Sequence, residues 1–218
     1  PERSAARARR DLERLGVEVR TGATVTGGDA DGVRIGDELI AARNVFWAAG
    51  NQASPLGAML GGPVDKVGRV LVRDDLSVPG HPEIFVAGDL AAVREAKGSL
   101  VPGVAPAAMQ EGRRAALNAL RIVNAETTTP FRYYNKGDMA TIGRNRAIAV
   151  FGGRVEVAGY PAWLLWLFIH IMYLAGFRNR LRVLVQWGYA YFTYQRGVRL
   201  ITAAEGPAHA VAGAGGRA

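Results

Sequence analysis

Two apolar runs, each stopped by a glycine, constrain this chain more than any other feature. They are Val45-Phe46-Trp47-Ala48-Ala49-Gly50 and Glu83-Ile84-Phe85-Val86-Ala87-Gly88-Asp89. Neither alternates apolar and polar residues, as a strand with one wet face would. A continuous run of β-branched and aromatic residues is the pattern of a strand buried on both faces, as in the parallel sheet of an α/β fold. The second run then puts Asp89 at the C-terminal edge of the sheet. There Gly88 lets the backbone approach a ligand closely, and Asp89 can accept hydrogen bonds from sugar hydroxyls. An Asp that caps the following segment accounts for the same residues.

The remaining pattern is mixed. Residues 4–15 predict a helix of Ala, Leu and Arg, ended by Gly16. Residues 17–20 alternate as a strand. Strand-like pieces at 24–26, 32–35 and 38–40, separated by Gly and Asp, predict a small antiparallel meander. A short helix is expected near 56–60, a strand at 69–72 and a turn at 77–82. Residues 105–124 predict a helix that tolerates Pro106 in its first turn. Two or three strands follow across 139–157. After Pro161 the chain turns apolar, and its last residues, 203–218, are rich in Gly, Ala and Pro and read as a disordered tail.

Composition removes several function classes. The chain has no cysteine, so structural disulfides, thiolate metal sites and a dithiol redox centre are excluded for this stretch. His81, His170 and His209 are far apart in sequence, and no metal site is expected. The start is Arg-rich, but Glu2, Asp11 and Glu13 argue against an acid-poor targeting segment; with Pro1 in place of Met, it reads as a cut through a longer protein. Net charge is +8, and no Asp or Glu occurs between Glu156 and Glu205. That acid-free stretch holds both the longest apolar run and Arg178, Arg180, Arg182, Arg196 and Arg199. Apolar residues beside a cluster of arginines favour an anionic lipid surface over nucleic acid.

The motifs share one resemblance. Ser77-Val-Pro-Gly-His-Pro followed by FVAGD at 85–89 resembles the second flavin-binding fingerprint of flavoproteins with two dinucleotide-binding domains. VFWAAG at 45–50 resembles the strand that returns the chain from the NAD domain to the FAD domain, and the spacing from Gly50 to Gly88 is typical of that superfamily. LVPGVAPAAMQEGRRAALNAL at 100–120 resembles the helix against the flavin ring of type II NADH:quinone oxidoreductases, with Gln110 retained and Pro106 standing where the family carries its first Gln. YYNKGDMATIGRNRAIA at 133–149 closely resembles another stretch of the same family. So does the block 162–202. Its 16-residue run at 162–177 makes roughly 24 Å of helix, short of the ~30 Å hydrocarbon core. Two helices lying in the interface are therefore expected. Trp163, Trp166, Tyr173, Trp187, Tyr189, Tyr191 and Tyr194 suit the headgroup zone.

The resemblance covers about residues 12–202 and implies an α/β fold: part of a flavoprotein with two dinucleotide-binding domains, plus a C-terminal α+β membrane-docking module. Residues 1–47 would be the end of an NADH-binding domain, 48–130 the returning part of an FAD-binding domain, and 131–202 the membrane module. The implied cofactor is FAD and the implied substrates are NADH and quinone. The implied cofactor-binding residues are Gly50, Gly88, Asp89, Leu90, Ala105 and Pro106, with Gln110 as a quinone-site candidate and no catalytic side chain assigned. The implied setting is peripheral, on the cytoplasmic face of a bacterial inner membrane, without ion pumping and with a homodimer left open. The glycine clusters at 27–28, 61–62 and 152–153 lack the GxGxxG context, so the stretch is expected to be inactive alone. Two other readings stand beside this one: a related flavoprotein reductase, and a non-catalytic membrane-associated piece.

Overall fold

The computed structural model describes residues 2–95, 98–174 and 176–194. The expected tail at 203–218, and residues 195–202 of the expected membrane module with Arg196 and Arg199, lie outside the described residues. The described residues form two compact units, divided between Trp163 and Leu164.

The first unit opens with helix α1, Glu2–Glu13, which has an acid in its first turn and Arg10 in its last, the arrangement that suits a helix dipole. Gly16 stops it at φ 84°, a left-handed conformation that costs glycine nothing. The Gly16 N–H donates to the Glu13 carbonyl and the Val17 N–H to that of Leu12, the paired closure of a Schellman motif. Residues 17–20, expected as a strand, form none. Strands β1 (Gly27–Asp29), β2 (Gly32–Ile35) and β3 (Glu38–Ala41) make an antiparallel meander as expected, but its first strand falls at 27–29, in the expected turn, and 24–26 forms none.

The run 45–50 departs from expectation. It forms no strand, and Phe46 is 84% and Trp47 70% exposed. A strand buried on both faces needs a hydrogen-bonded neighbour and cover above and below, and no described segment supplies either. The apolar composition reports what the run is suited to bury, not that it is buried.

Helix α2 (Leu56–Met59) and strands β4 (Val70–Leu71), β5 (Ser77–Val78) and β6 (His81–Phe85) follow. The expected turn at 77–82 is a hairpin in which β5 and β6 pair antiparallel. Of the second glycine-stopped run only Glu83–Phe85 is strand, and that stretch is exposed or half-buried and not within a parallel sheet. The parallel pair is instead β4 with β7 (Ala91–Ala92). Helix α3 spans Ala105–Val123, with Pro106 in its first turn where no N–H is missed. Its inward face carries Ala107, Glu111 and Asn118. Val70, Leu76, Val78, Val86, Val93 and Val101 form the main core beneath it.

Strands β8 (Asp138–Thr141), β9 (Ala147–Phe151) and β10 (Val155–Gly159) form a second antiparallel meander in the order 10-9-8. Ala147 and Ala149 pack with Ala162 and Trp163 of helix α4, Tyr160–Tyr173. The meander is tied to α1 by two carboxylates. Glu156 of β10 accepts the Ser4 hydroxyl at 2.7 Å. Asp11 is buried and accepts from Arg14 (3.3 Å) and from Arg146 in the β8–β9 turn (3.2 Å). The β8–β10 strands therefore cluster with the residues before them, and compactness divides the chain inside α4.

The second unit holds the rest of α4 and helix α5, Phe177–Thr193. Trp166 and Trp187 stack within it, 5.7 Å between ring centroids. Phe168, Phe177, Leu181, Val185 and Phe192 are exposed. No helix of the described residues is long and apolar enough to cross a membrane.

Candidate functional site

A cleft of about 770 Å³ opens in the first unit, between the segment around Gly50, the turn after β6 and the start of α3. Three local features of the sequence build it. β6 ends at Phe85, and the chain runs through buried Val86 into a 3-10 turn over Gly88–Leu90. Gly88 has φ 72°, and a Cβ there would lie 3.4 Å from the Cβ of Ala108, so the turn lies directly on α3. Pro102-Gly103 then brings the chain back, and α3 starts against the same turn.

The cleft brings together four of the residues singled out from sequence: Gly50, Gly88, Asp89 and Leu90 line it. Asp89 Oδ1 abuts the return loop, 3.5 Å from where a Cβ of Gly103 would stand. Ala105 and Pro106 do not line the cleft; their neighbours Val104 and Ala107 do. The contribution of this stretch is thus the helix start itself, with its positive dipole end, rather than those two side chains.

Gln110 does not line the cleft. Its amide donates to the carbonyls of Pro106 (3.0 Å) and Tyr134 (3.1 Å) and accepts the Tyr134 N–H at 3.1 Å. That side chain is committed to clamping the backbone of Tyr134 onto α3.

Two further residues of the cleft escaped sequence reasoning. Glu111 is 4% exposed and accepts the Gly88 N–H at 2.6 Å through Oε2. Burial raises its carboxyl above the ordinary range, and the nearby charge of Asp89 adds to that, while the Gly88 hydrogen bond works against it. The signal was present: Glu111 is one turn after Ala107, on the inward face of α3 (i, i+4). Arg69 also lines the cleft, its guanidinium held by Asp65 at 2.7 Å. Burial pushes the Asp65 carboxyl up, but hydrogen bonds from the Arg69 amide and guanidinium and from the Val67 amide outweigh it and hold the group below its usual range.

A cleft of this size is in the range of small-molecule and cofactor sites. A carboxylate, an arginine and a helix N-terminus converge on it, a donor and acceptor set suited to a ligand with hydroxyls and anionic groups. Among the described residues no cluster of His, Asp or Glu could hold a metal ion.

Comparison with known proteins adds the family. The model of the pyridine nucleotide-disulphide oxidoreductase family matches residues 1–112. The chain belongs to that family. The type II NADH:quinone oxidoreductase NdhA of Mycobacterium tuberculosis is 43% identical over 210 residues, 90% of this chain and 43% of the relative. The type II NADH:quinone oxidoreductase Ndh of the same organism is 39% identical over 213 residues, 92% of this chain and 44% of the relative. The chain thus spans less than half the length of these relatives. A solved structure of NDH2 from Plasmodium falciparum in complex with NADH superposes with a TM-score of 0.65 at 14% identity, over 85% of this chain and 54% of that one. The likeness to that solved structure speaks for the fold alone. The pyridine nucleotide-disulphide oxidoreductase family takes its name from a disulphide, and this stretch of it carries no cysteine.

Proposed function

We propose that this chain is the C-terminal part of a flavin-dependent NADH:quinone oxidoreductase and that the cleft is its share of the FAD site. The observation that carries the reading is the convergence of Asp89, the Gly88 turn and the start of α3 on one cleft. Relatives named type II NADH:quinone oxidoreductase, matching most of the chain, support it.

The residues present fit the group. The turn at Gly88 and the loop at Gly103 leave room for a ligand beside the Asp89 carboxylate, as sugar-like hydroxyls require. Asp89 would accept from those hydroxyls, Gly50 and Leu90 would line the walls, and the start of α3 would face a region of negative charge. When bound, FAD would supply the redox chemistry that links hydride from NADH to two-electron reduction of quinone. The protein's part is position and electrostatics: Asp89 orients the ligand, the dipole of α3 favours added negative charge, and Arg69 contributes a positive wall. No ion pumping enters this reading.

Residues 1–47 would then close an NADH-binding domain and residues 48–130 an FAD-binding domain. The second unit would dock on the cytoplasmic face of an anionic membrane. Its exposed Phe168, Phe177 and Phe192 provide apolar contact, and Arg178 and Arg182 provide positive charge. The test is a coupled assay on the protein that contains this chain. NADH loss at 340 nm that depends on added short-chain quinone, one NADH per quinone reduced, is the expected result. NADH loss that ignores quinone would overturn the reading.

A further inference from the structure

The described acid in the cleft that the function above does not use is Glu111. From its place, we infer that Glu111 is a positioning residue for the FAD site: by holding the Gly88 N–H it sets the turn that aims Asp89 at the ligand. The inference rests on the cleft being an FAD site, and it concerns a side chain to which the resemblance assigns no role.

The geometry is local. Gly88 is in the left-handed region, and its N–H is directed at α3. In a buried setting that N–H needs an acceptor, and Glu111 Oε2 supplies it at 2.6 Å. Ala108, one turn earlier on the same helix, lies beneath the same turn, 3.4 Å from where a Cβ of Gly88 would stand. Glu111 and Ala108 thus fix the residue immediately before Asp89 in both distance and direction. Asp89 is itself exposed at the cleft wall, so its orientation depends on the turn beneath it. A site whose turn is already ordered binds without first paying the cost of ordering it.

The role needs one acceptor oxygen and no charge. Full burial and the neighbouring Asp89 both disfavour a second negative charge at this wall. A neutral amide at the same place keeps the acceptor and removes the repulsion toward an anionic ligand. This separates positioning from charge.

The experiment compares Glu111→Gln, Glu111→Ala and Asp89→Ala with the unaltered protein. It reads FAD affinity by flavin fluorescence and exchange of the Gly88 amide proton by NMR, with thermal midpoints alongside. Glu111→Ala is expected to weaken FAD binding tenfold or more and to speed Gly88 exchange at least tenfold. Glu111→Gln is expected to bind FAD as tightly as the unaltered protein or more tightly, with Gly88 protection retained. Unchanged Gly88 exchange in Glu111→Ala would overturn the inference, and so would Glu111→Gln behaving like Glu111→Ala. If the unaltered protein binds no FAD at all, the cofactor reading fails by itself. Gly88 exchange in the three variants then still decides whether Glu111 sets the turn.

Discussion

The side-chain amide of Asn118 donates to the main-chain carbonyl of Asp75 at 2.9 Å, joining the far end of α3 to the approach to β5. The same nitrogen donates to the Thr129 carbonyl at 2.9 Å, and Oδ1 accepts the Thr129 N–H at 2.9 Å. Asn118 is fully buried and satisfied. It therefore holds together three segments that share no secondary structure, and it fixes the direction in which α3 leaves the cleft.

Asn118→Leu should destabilise the fold by about 3 kcal/mol, because it strands two carbonyls and an N–H away from water at about 1–3 kcal/mol each, partly offset by relaxation. For a domain of this size that is a fall in Tm of roughly 6–12 °C. A calorimetric Tm within about 2 °C of the unaltered protein would contradict the role given to this side chain.

Asp75 gives the fold a defined acid sensitivity. Burial alone would raise its carboxyl, but the Ser77 hydroxyl (2.6 Å), the Thr128 hydroxyl (2.7 Å) and the Ser77 N–H (3.0 Å) together hold it below its ordinary 3.8. A group depressed in the folded state contributes stability above its unfolded value and loses it as pH falls through its folded value. The contribution is thus complete above about pH 4 and fades below it. Asp75→Asn should flatten the stability profile in that acid window. Parallel profiles for the two proteins below pH 4 would show that Asp75 contributes nothing there.

Asp89→Ala should cost the flavin. Hydrogen bonds to a charged acceptor are worth about 1.5–3 kcal/mol, or roughly ten- to a hundredfold in Kd. The Tm of the flavin-free protein should not move, since Asp89 is exposed. A flavin-to-protein ratio equal to that of the unaltered enzyme would remove Asp89 from the site.

Membrane attachment should reside in the second unit. Deleting residues 164–218 should leave the protein in the supernatant when it is centrifuged with anionic vesicles. Arg178→Glu with Arg182→Glu should weaken vesicle binding tenfold or more, because each arginine contributes about 1 kcal/mol, and added salt should mimic the double change. Equal sedimentation of the deleted protein would place the membrane contact elsewhere.

What was legible in the sequence followed from local rules. Helix α3 was readable from its spacing and from Pro106 in its first turn, the first meander from Gly and Asp between short apolar pieces, though with its first strand misplaced, and the strands after 139 as strands only. Gly88, Asp89 and Leu90 were readable as a group because they are adjacent in sequence, whereas Gly50, far upstream, was joined to them by the resemblance alone. What was illegible depends on distant partners. Asp11 looks like one more charge in an Arg-rich helix, and only Arg146, 135 residues on, makes it a buried anchor. Val45, Phe46 and Trp47 were read as buried from composition, but burial requires neighbours that no described residue provides. Gln110 drew attention as the motif residue, while the acid beside it faces the cleft. The helix period separates the two, and a motif match does not.

The most direct test is the visible absorbance spectrum of the purified protein that contains this chain, recorded before and after NADH is added without oxygen. The account predicts flavin bands near ~370 and ~450 nm, the second bleaching on NADH and returning when quinone is supplied. A colourless protein, or flavin bands that NADH leaves unchanged, would contradict it.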